Sequence, residues 1–376
     1  MKGGELINQG SYGCIYKPLL KCNNKKEIED GKITKAQVLN KFSQKEIEIS
    51  KKIIDSYPKD YDEHFSPITN TCLDVDMVKI EKEIEKCNAI KDTKKFVLSE
   101  MKYEGKTTLG EYLLLKSKSK ELLLRELFYS FEKIIESLEK LHEINIIHLD
   151  LKENNLIYSN NKERPIIIDF GLSGDLDKIE KTEKDIFFVH AYDYEPWCID
   201  ISIITLIVNE NLKEITITQS IYEKTIKKTI ENYTEVNTSV LKNHKKKYQE
   251  KLKNYFKGFI NKKFKDVMDE LMKNSKTWDI YSILIMYNYF LLNIFQKKSN
   301  EELDENLQLF TNMIEDNLYC LPYERKTAKD ILVEYKKIKK NLSLKDFSKK
   351  IQTTNNINNY LENTITIEKI KSRMQS

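Results

Sequence analysis

Residues that mark several common protein classes are scarce in this sequence. Its 376 residues include only six cysteines and five histidines. The cysteines form no C-x-x-C pair and the histidines do not cluster near them, so we expect neither a zinc site nor a disulfide framework. We therefore expect the protein to reside in a reducing compartment. The N-terminal stretch M-K-G-G-E-L-I-N-Q-G contains no long apolar region, and no apolar run reaches about 18 residues. We therefore expect a cytoplasmic protein with neither a secretion signal nor a membrane span.

No charge of one sign dominates, although charged residues are abundant. The chain has 63 Lys and Arg against 59 Asp and Glu, which gives a formal net charge of +4. Because nucleic-acid binding requires concentrated positive charge, this balance argues against a dedicated nucleic-acid surface. Apolar residues make up 40% of the chain, which is enough for a packed core in one large domain or two ordinary ones.

Four polar residues follow the spacing His-x-Asp-x-Lys-x-x-Asn in the stretch I-I-H-L-D-L-K-E-N-N-L-I. They are His148, Asp150, Lys152 and Asn155. Farther on, the aliphatic run R-P-I-I-I ends in an Asp-Phe-Gly that begins at Asp169. A carboxylate such as Asp150 can orient a hydroxyl, and a nearby cation such as Lys152 can neutralise developing charge. Asn155 and Asp169 offer oxygen ligands for Mg²⁺, so the two motifs predict a phosphoryl-transfer site.

These motifs resemble the catalytic loop and the metal-binding Asp-Phe-Gly of eukaryotic-type protein kinases. The resemblance implies an α+β fold of two lobes, with a small antiparallel sheet and one helix in residues 1–101 and a larger, mainly helical lobe in residues 102–342. It also implies that the protein uses ATP and Mg²⁺ and phosphorylates proteins, with Asp150 orienting the acceptor hydroxyl and accepting its proton. Lysine at position 152, two residues after this aspartate, resembles serine/threonine rather than tyrosine kinases.

The segment N-Q-G-S-Y-G-C-I-Y-K resembles the glycine-rich loop of kinases, with Asn8 in place of the first glycine. Glycines at the tip of a β-hairpin let backbone N–H groups approach phosphate oxygens closely. The resemblance therefore places the phosphates of ATP beneath Gly10 and Gly13. The apolar residues that would enclose the base are Ile7, Ile15, Ile33 and Ile157.

Two lysines in the strand-like segment K-I-T-K-A-Q-V are candidates for the kinase lysine that holds the α- and β-phosphates. Lys35 is preferred over Lys32, because Ile33 then lies on the same face of the strand and over the base. In kinases the next helix supplies a carboxylate partner for this lysine. Glu46 is the candidate, and Glu48 is the alternative.

Two later segments resemble the hinge and the long central helix of the family. In K-F-V-L-S-E-M-K-Y, Ser99 would guard the back pocket, and the backbone from Glu100 to Lys102 would contact the adenine. Residues 121–142 carry apolar residues at the i, i+3, i+4 spacing of an amphipathic helix. This helix would lead the chain into the catalytic loop.

The remaining resemblance concerns the end of the activation segment and the large lobe. Asp279, in T-W-D-I-Y-S, would accept hydrogen bonds from the backbone of the catalytic loop. Arg325, in L-P-Y-E-R, would pair with an acid that closes the activation segment, for which Glu195 and Asp200 are both candidates. On this alignment residues 201–275 exceed what the family needs and are predicted to be an insertion, and residues 343–376 form a polar tail.

Leu149 stands where many kinases have an arginine that binds a phosphorylated activation segment. We therefore expect activity that does not require such a phosphate. The phrase G-S-Y-G-C-I-Y-K-P-L-L-K-C and the bias towards lysine, isoleucine and asparagine look like kinases of large DNA viruses, which would place the protein in host cytoplasm or a virion.

Two other functional classes remain open. A pseudokinase would lack a catalytic residue, whereas the residues Lys35, Asp150, Asn155 and Asp169 are all available. A small-molecule phosphotransferase shares H-x-D-x-x-x-x-N but usually lacks the glycine hairpin and the P-x-x-R element.

Overall fold

The computed structural model describes residues 4–10, 13–20, 22, 31–73, 75, 77–90, 95–116, 120–236, 244–294 and 305–341. The predicted tail, residues 343–376, lies outside them. The described residues form two units. The first comprises those up to Thr108 together with Asn155–Ser173, and the second comprises Leu109–Asn154 and the described residues from Gly174 onward.

The strands are short and lie mostly in the first unit. They are β1 (Glu5–Gly10), β2 (Gly13–Lys17), β3 (Lys32–Val38), β4 (Phe65–Ser66), β5 (Ile68–Cys72), β6 (Phe96–Lys102), β7 (Ile146–Ile147), β8 (Leu156–Ser159), β9 (Arg164–Ile168) and β10 (Gly174–Asp175). A five-stranded antiparallel sheet has the order β1-β2-β3-β6-β5, and a smaller sheet has the order β4-β9-β8. In the second unit β7 pairs with β10.

The helices lie mostly in the second unit. They are α1 (Lys41–Ser56), α2 (Tyr61–His64), α3 (Met77–Ile84), α4 (Leu109–Lys116), α5 (Lys120–Glu143), α6 (Ile179–Ile186), α7 (Ile199–Asn209), α8 (Gln219–Tyr222), α9 (Lys228–Val236), α10 (Lys245–Lys257), α11 (Phe264–Met272), α12 (Trp278–Ile294), α13 (Glu305–Leu318) and α14 (Ala328–Asn341). Within the described residues, none of these helices is long and apolar enough to cross a membrane.

One face of the five-stranded sheet is covered by α3 and the residues that follow it. Side-chain alternation in β2 turns Cys14 and Tyr16 to this face, where both are fully buried. They pack in one apolar cluster with Ile80 and Ile84 of α3 and with Cys87. The burial of this face explains why the charged stretch around α3 is ordered as a helix.

The described residues contain two disulfides, one of which joins this cover to β2, so our expectation of no disulfide framework is wrong. Cys14 is bonded to Cys87, and Cys22 is bonded to Cys72. The partners are 73 and 50 residues apart in the chain, with Cα atoms 5.9 and 6.0 Å apart. Sequence spacing could not show this pairing, because strand order and the position of α3 bring the cysteines together. The remaining two cysteines, Cys198 and Cys320, are free and buried.

Helix α1 begins at a capping box formed by Asn40 and Ser43. The Asn40 side chain accepts hydrogen bonds from the Phe42 and Ser43 N–H groups, and the Ser43 hydroxyl accepts one from the Asn40 N–H. The cap fixes the residue at which the helix begins. The buried residues of α1 then recur at helical spacing along one face. Glu46 lies on this buried face, whereas Glu48 is exposed.

In the second unit, α5 confirms the predicted amphipathic helix. The buried apolar residues of its core face are Leu124, Leu127, Phe131, Ile134, Ile135, Leu138 and Leu141. Phe131 packs against Tyr287 of α12, Phe310 of α13 and Tyr335 of α14, with ring centroids 4.9, 5.0 and 5.3 Å away. Helix α12 is apolar on nearly all sides, which is typical of a helix inside a core. The predicted insertion at 201–275 is largely helical where it is described.

Candidate active site

In the first unit, Lys35 of β3 lies between two carboxylates. Its Nζ donates to Glu46 Oε1 and Oε2 across 2.7 and 2.9 Å, and to Asp169 Oδ1 across 3.0 Å. Burial opposes the charge of Lys35, but Asp169 and Glu46 outweigh it and raise the pKa of Lys35 above its ordinary value. The lysine is therefore a fixed cation at neutral pH. The rival Lys32 lies three residues earlier on β3, opposite Lys102.

Gln37 is a neighbour of this pair that the sequence motifs did not single out. Its Nε2 donates to Glu46 Oε2 across 3.2 Å. Residues two apart on a strand share a face, so Gln37 lies on the same side of β3 as Lys35. Glu46 therefore has two donor side chains from one strand, and this holds its carboxylate towards Lys35. Strand alternation alone would have been enough to find Gln37.

Asp169 follows the buried strand β9 and adopts a left-handed backbone conformation with φ of 64°. The next residue, Phe170, is 2% exposed and packs edge-on against Phe65, with ring centroids 6.1 Å apart. This packing fixes the backbone turn and leaves the Asp169 side chain 43% exposed. Asn155, also in the first unit, precedes β8. Carboxylate and amide oxygens are ligands that suit Mg²⁺, so Asp169 and Asn155 fit the predicted metal site chemically.

The two predicted loop glycines have different surroundings. Gly10 and Gly13 pair across the hairpin of β1 and β2. A Cβ added to Gly13 would lie 2.5 Å from the carbonyl oxygen of Ala36, so the close approach of β3 requires glycine there. A Cβ added to Gly10 would meet only the Gly13 oxygen, at 3.8 Å. Nothing in the described protein therefore demands glycine at position 10.

The predicted base-contacting isoleucines lie on several strands of the first unit. Ile15 is directly opposite Lys35, so the two share a face of the sheet. Ile7 lies at a bulge between Leu6 and Asn8 and is 47% exposed. Ile33 is opposite Met101 on β6. Ile157 lies on β8 in the smaller sheet and is 9% exposed.

The predicted hinge backbone lies on β6, which has strands on both sides. The carbonyl oxygen of Glu100 accepts from Thr69 Oγ1 at 3.2 Å, and that of Lys102 accepts from Ser66 Oγ at 2.9 Å. The Lys102 side chain pairs with Asp62. A carbonyl oxygen can accept two hydrogen bonds, so these bonds do not exclude a further one from adenine. Contact of this backbone with adenine stays a prediction. Ser99 is fully buried, as a residue at the back of a pocket would be.

In the second unit, Asp150 is held by side chains from two segments. Lys152 Nζ donates to its Oδ1 and Oδ2 across 3.0 and 2.9 Å. The hydroxyl of Tyr194 donates to Oδ1 across 2.7 Å. Trp197, close by in the chain, donates its indole N–H to the carbonyl oxygen of Leu149 at 2.8 Å. Tyr194 and Trp197 belong to no motif that we recognised in the sequence.

Asp279 of α12 fixes the backbone just before Asp150. Its carboxylate accepts from the N–H groups of His148 and Leu149 at 2.8 and 2.9 Å, and lies 3.0 Å from His142 Nε2. Burial favours the neutral acid, but the hydrogen bonds from His142 and His148 outweigh it and hold the pKa of Asp279 below its ordinary value. The resulting anion secures Leu149 in a left-handed conformation, with φ of 63°.

The structure distinguishes the two acids proposed for Arg325. The guanidinium of Arg325 pairs with Asp200, and both side chains are almost fully buried. Trp278 Nε1 also donates to Asp200, at 3.0 Å. Glu195 instead accepts a hydrogen bond from Tyr289, at 2.6 Å. Asp200 is therefore the partner of Arg325.

Comparison with known proteins finds similarity to protein kinases. Residues 4–190 match the sequence model of the family described as protein tyrosine and serine/threonine kinase. Probable serine/threonine-protein kinase fnkB of Dictyostelium discoideum is 38% identical over 73 residues, which are 19% of this chain and 13% of that protein. Probable serine/threonine-protein kinase fnkE of the same organism is 30% identical over 130 residues, which are 30% of this chain and 10% of that protein.

Residues 4–190 are therefore similar to the protein tyrosine and serine/threonine kinase family. The predicted α+β class, with an N-terminal antiparallel sheet and a mainly helical remainder, is confirmed. The chain spans only 13% and 10% of the length of these two relatives.

Proposed function

We propose that the protein is an ATP-dependent kinase that transfers the γ-phosphoryl group to serine and threonine hydroxyls of proteins. The observation that carries this proposal is the contact of Lys35 with both Glu46 and Asp169. One carboxylate, Glu46, is buried and holds the lysine, while the other remains partly exposed and can bind a cation. A lysine fixed in this way can hold nucleotide phosphates beside a metal site.

The remaining residues divide the work of phosphoryl transfer. Asn155 and Asp169 would hold Mg²⁺, which neutralises charge on the phosphates when it is bound. Asp150 orients the acceptor hydroxyl and takes its proton. Lys152 neutralises charge that develops during transfer. Two observations support serine or threonine as the acceptor. One is the lysine at position 152, and the other is the names of the two Dictyostelium relatives.

The proposal is tested by incubating the protein with labelled ATP and Mg²⁺, generic protein substrates and a panel of small alcohols. We expect label on serine and threonine of the proteins and none on the alcohols. Asp150→Asn should lower the rate of transfer by orders of magnitude, to a small residual rate, and leave ATP binding largely intact. ATP binding without transfer by the wild type would indicate a pseudokinase, and labelled alcohols would indicate a small-molecule phosphotransferase.

The resemblance to kinases of large DNA viruses, and with it a place in host cytoplasm or a virion, remains a proposal from the sequence. The two disulfides weigh against a permanently reducing compartment, because cytosolic reductants keep most thiols reduced. The protein substrates are proposed only as a class.

A further inference from the structure

Tyr194 and the candidate catalytic carboxylate Asp150 are in direct contact inside the second unit. The two residues are 7% and 4% exposed. The Tyr194 hydroxyl is 2.7 Å from Asp150 Oδ1, which also accepts from Lys152 Nζ at 3.0 Å. Two donors therefore meet at one oxygen of the carboxylate, and Lys152 also donates to the other. Three hydrogen bonds from two side chains fix the rotation of the carboxylate plane.

The ring of Tyr194 is itself fixed in place by Trp197. The two rings pack edge to face, with centroids 5.2 Å apart and an interplanar angle of 79°. A backbone hydrogen bond from the Trp197 N–H to the Tyr194 carbonyl, 2.9 Å long, closes the turn between them. Trp197 is attached to the residue before Asp150 by its indole bond to the Leu149 carbonyl. Tyr194 therefore has little freedom to leave the carboxylate.

We propose that Tyr194 is a positioning residue, which holds the Asp150 carboxylate in the orientation that aligns the acceptor hydroxyl for phosphoryl transfer. The proposal rests on the kinase activity proposed above. If the Asp150 carboxylate is oriented before the acceptor arrives, the reaction does not have to bear the entropy cost of orienting it. Small misplacements of catalytic groups also reduce rates strongly. The Tyr194 hydroxyl thus contributes to the rate of transfer and not to the binding of ATP, whose candidate ligands lie in the first unit.

The opposite role for the same contact has a distinct signature. A hydroxyl donating to Asp150 could also occupy the place of the acceptor hydroxyl and inhibit the enzyme. Removing it would then raise the rate and lower the KM for the protein substrate. The positioning role instead requires a lower kcat with little change in either KM.

The test uses Tyr194→Phe in the full-length chain, which removes one oxygen and keeps the ring that packs on Trp197. The matched control is Tyr289→Phe, because the Tyr289 hydroxyl also donates to a carboxylate, that of Glu195, at 2.6 Å. We expect Tyr194→Phe to lower kcat by about 10- to 100-fold, with both KM values and the melting temperature close to those of the control. An unchanged or higher kcat, or an equal loss in the control, overturns the proposal.

A double-mutant cycle separates an action through Asp150 from a general structural effect. Because Tyr194 is proposed to act only through this carboxylate, adding Tyr194→Phe to Asp150→Asn should cause no further loss of the residual rate. A further loss of the full single-mutant size overturns the proposal. An inactive wild-type protein would instead refute the proposed function itself.

Discussion

The indole N–H of Trp197 donates to the carbonyl oxygen of Leu149 across 2.8 Å. Leu149 is 3% exposed and stands where many kinases have an arginine that binds a phosphate. A leucine side chain cannot bind an anion. The end of the activation segment (residues 169–200) is instead joined to the catalytic loop by this hydrogen bond and by the one that Tyr194 donates to Asp150. This attachment is available without any modification.

We therefore expect activity that does not depend on a phosphorylated activation segment. Protein treated with phosphatase should show the same initial rate as untreated protein, measured before autophosphorylation can restore any phosphate. Thr182→Ala, which removes a hydroxyl on α6, should also keep this rate. A rate that collapses on dephosphorylation and returns with phosphate on Thr182 would refute the prediction.

The position of Lys35 predicts a clear difference between two lysine variants. Lys35→Met should lower kcat/KM by about 100-fold or more, because it removes a fixed cation from the proposed phosphate site. Glu46→Gln should act in the same direction, and Lys32→Met should be mild. Melting temperatures should be recorded for all three, since removing one partner of a buried ion pair also destabilises the fold. An inactive Lys32→Met beside an active Lys35→Met would show that the phosphate-binding lysine is the other one.

The two loop glycines predict different consequences of one added methyl group. Gly10→Ala meets no close protein atom, so it should leave the melting temperature unchanged and raise the KM for ATP by about tenfold, equivalent to 1.4 kcal/mol. Gly13→Ala places a Cβ against the Ala36 backbone and should lower the free energy of unfolding by about 1–3 kcal/mol. If Gly10→Ala bound ATP normally, the phosphates would not lie under this hairpin.

The disulfides predict how many cysteines react with an alkylating reagent. Burial raises the pKa of the Cys198 thiol to about 12 and that of Cys320 to about 11, so the native protein should react little. Mass spectrometry should find two labels after denaturation without reductant and six after denaturation with reductant. Six labels in the unreduced, denatured protein would mean that the disulfides are absent.

Candidate site residues were easiest to name where chemistry demands fixed spacing. The catalytic loop and the Asp-Phe-Gly motif are local, so Asp150, Lys152, Asn155 and Asp169 could be named from the chain alone. The choice between Lys35 and Lys32 needed a partner from α1, and the choice between Asp200 and Glu195 needed the position of Arg325 in space. Tyr194 gave no signal, because its contact joins residues 44 apart that share no local pattern. The prediction of no disulfide framework was wrong for the same reason, because the bonded cysteines are distant in the chain.

The two units are interlaced in the chain. The polypeptide leaves the first unit after Thr108, re-enters it at Asn155 and leaves again after Ser173. A fragment ending at Thr108 would lack β8 and β9, so β4 would lose its parallel neighbour and Lys35 would lose Asp169. No single cut divides this protein into independent halves. An attempt to express the first unit alone must therefore splice two distant stretches of sequence.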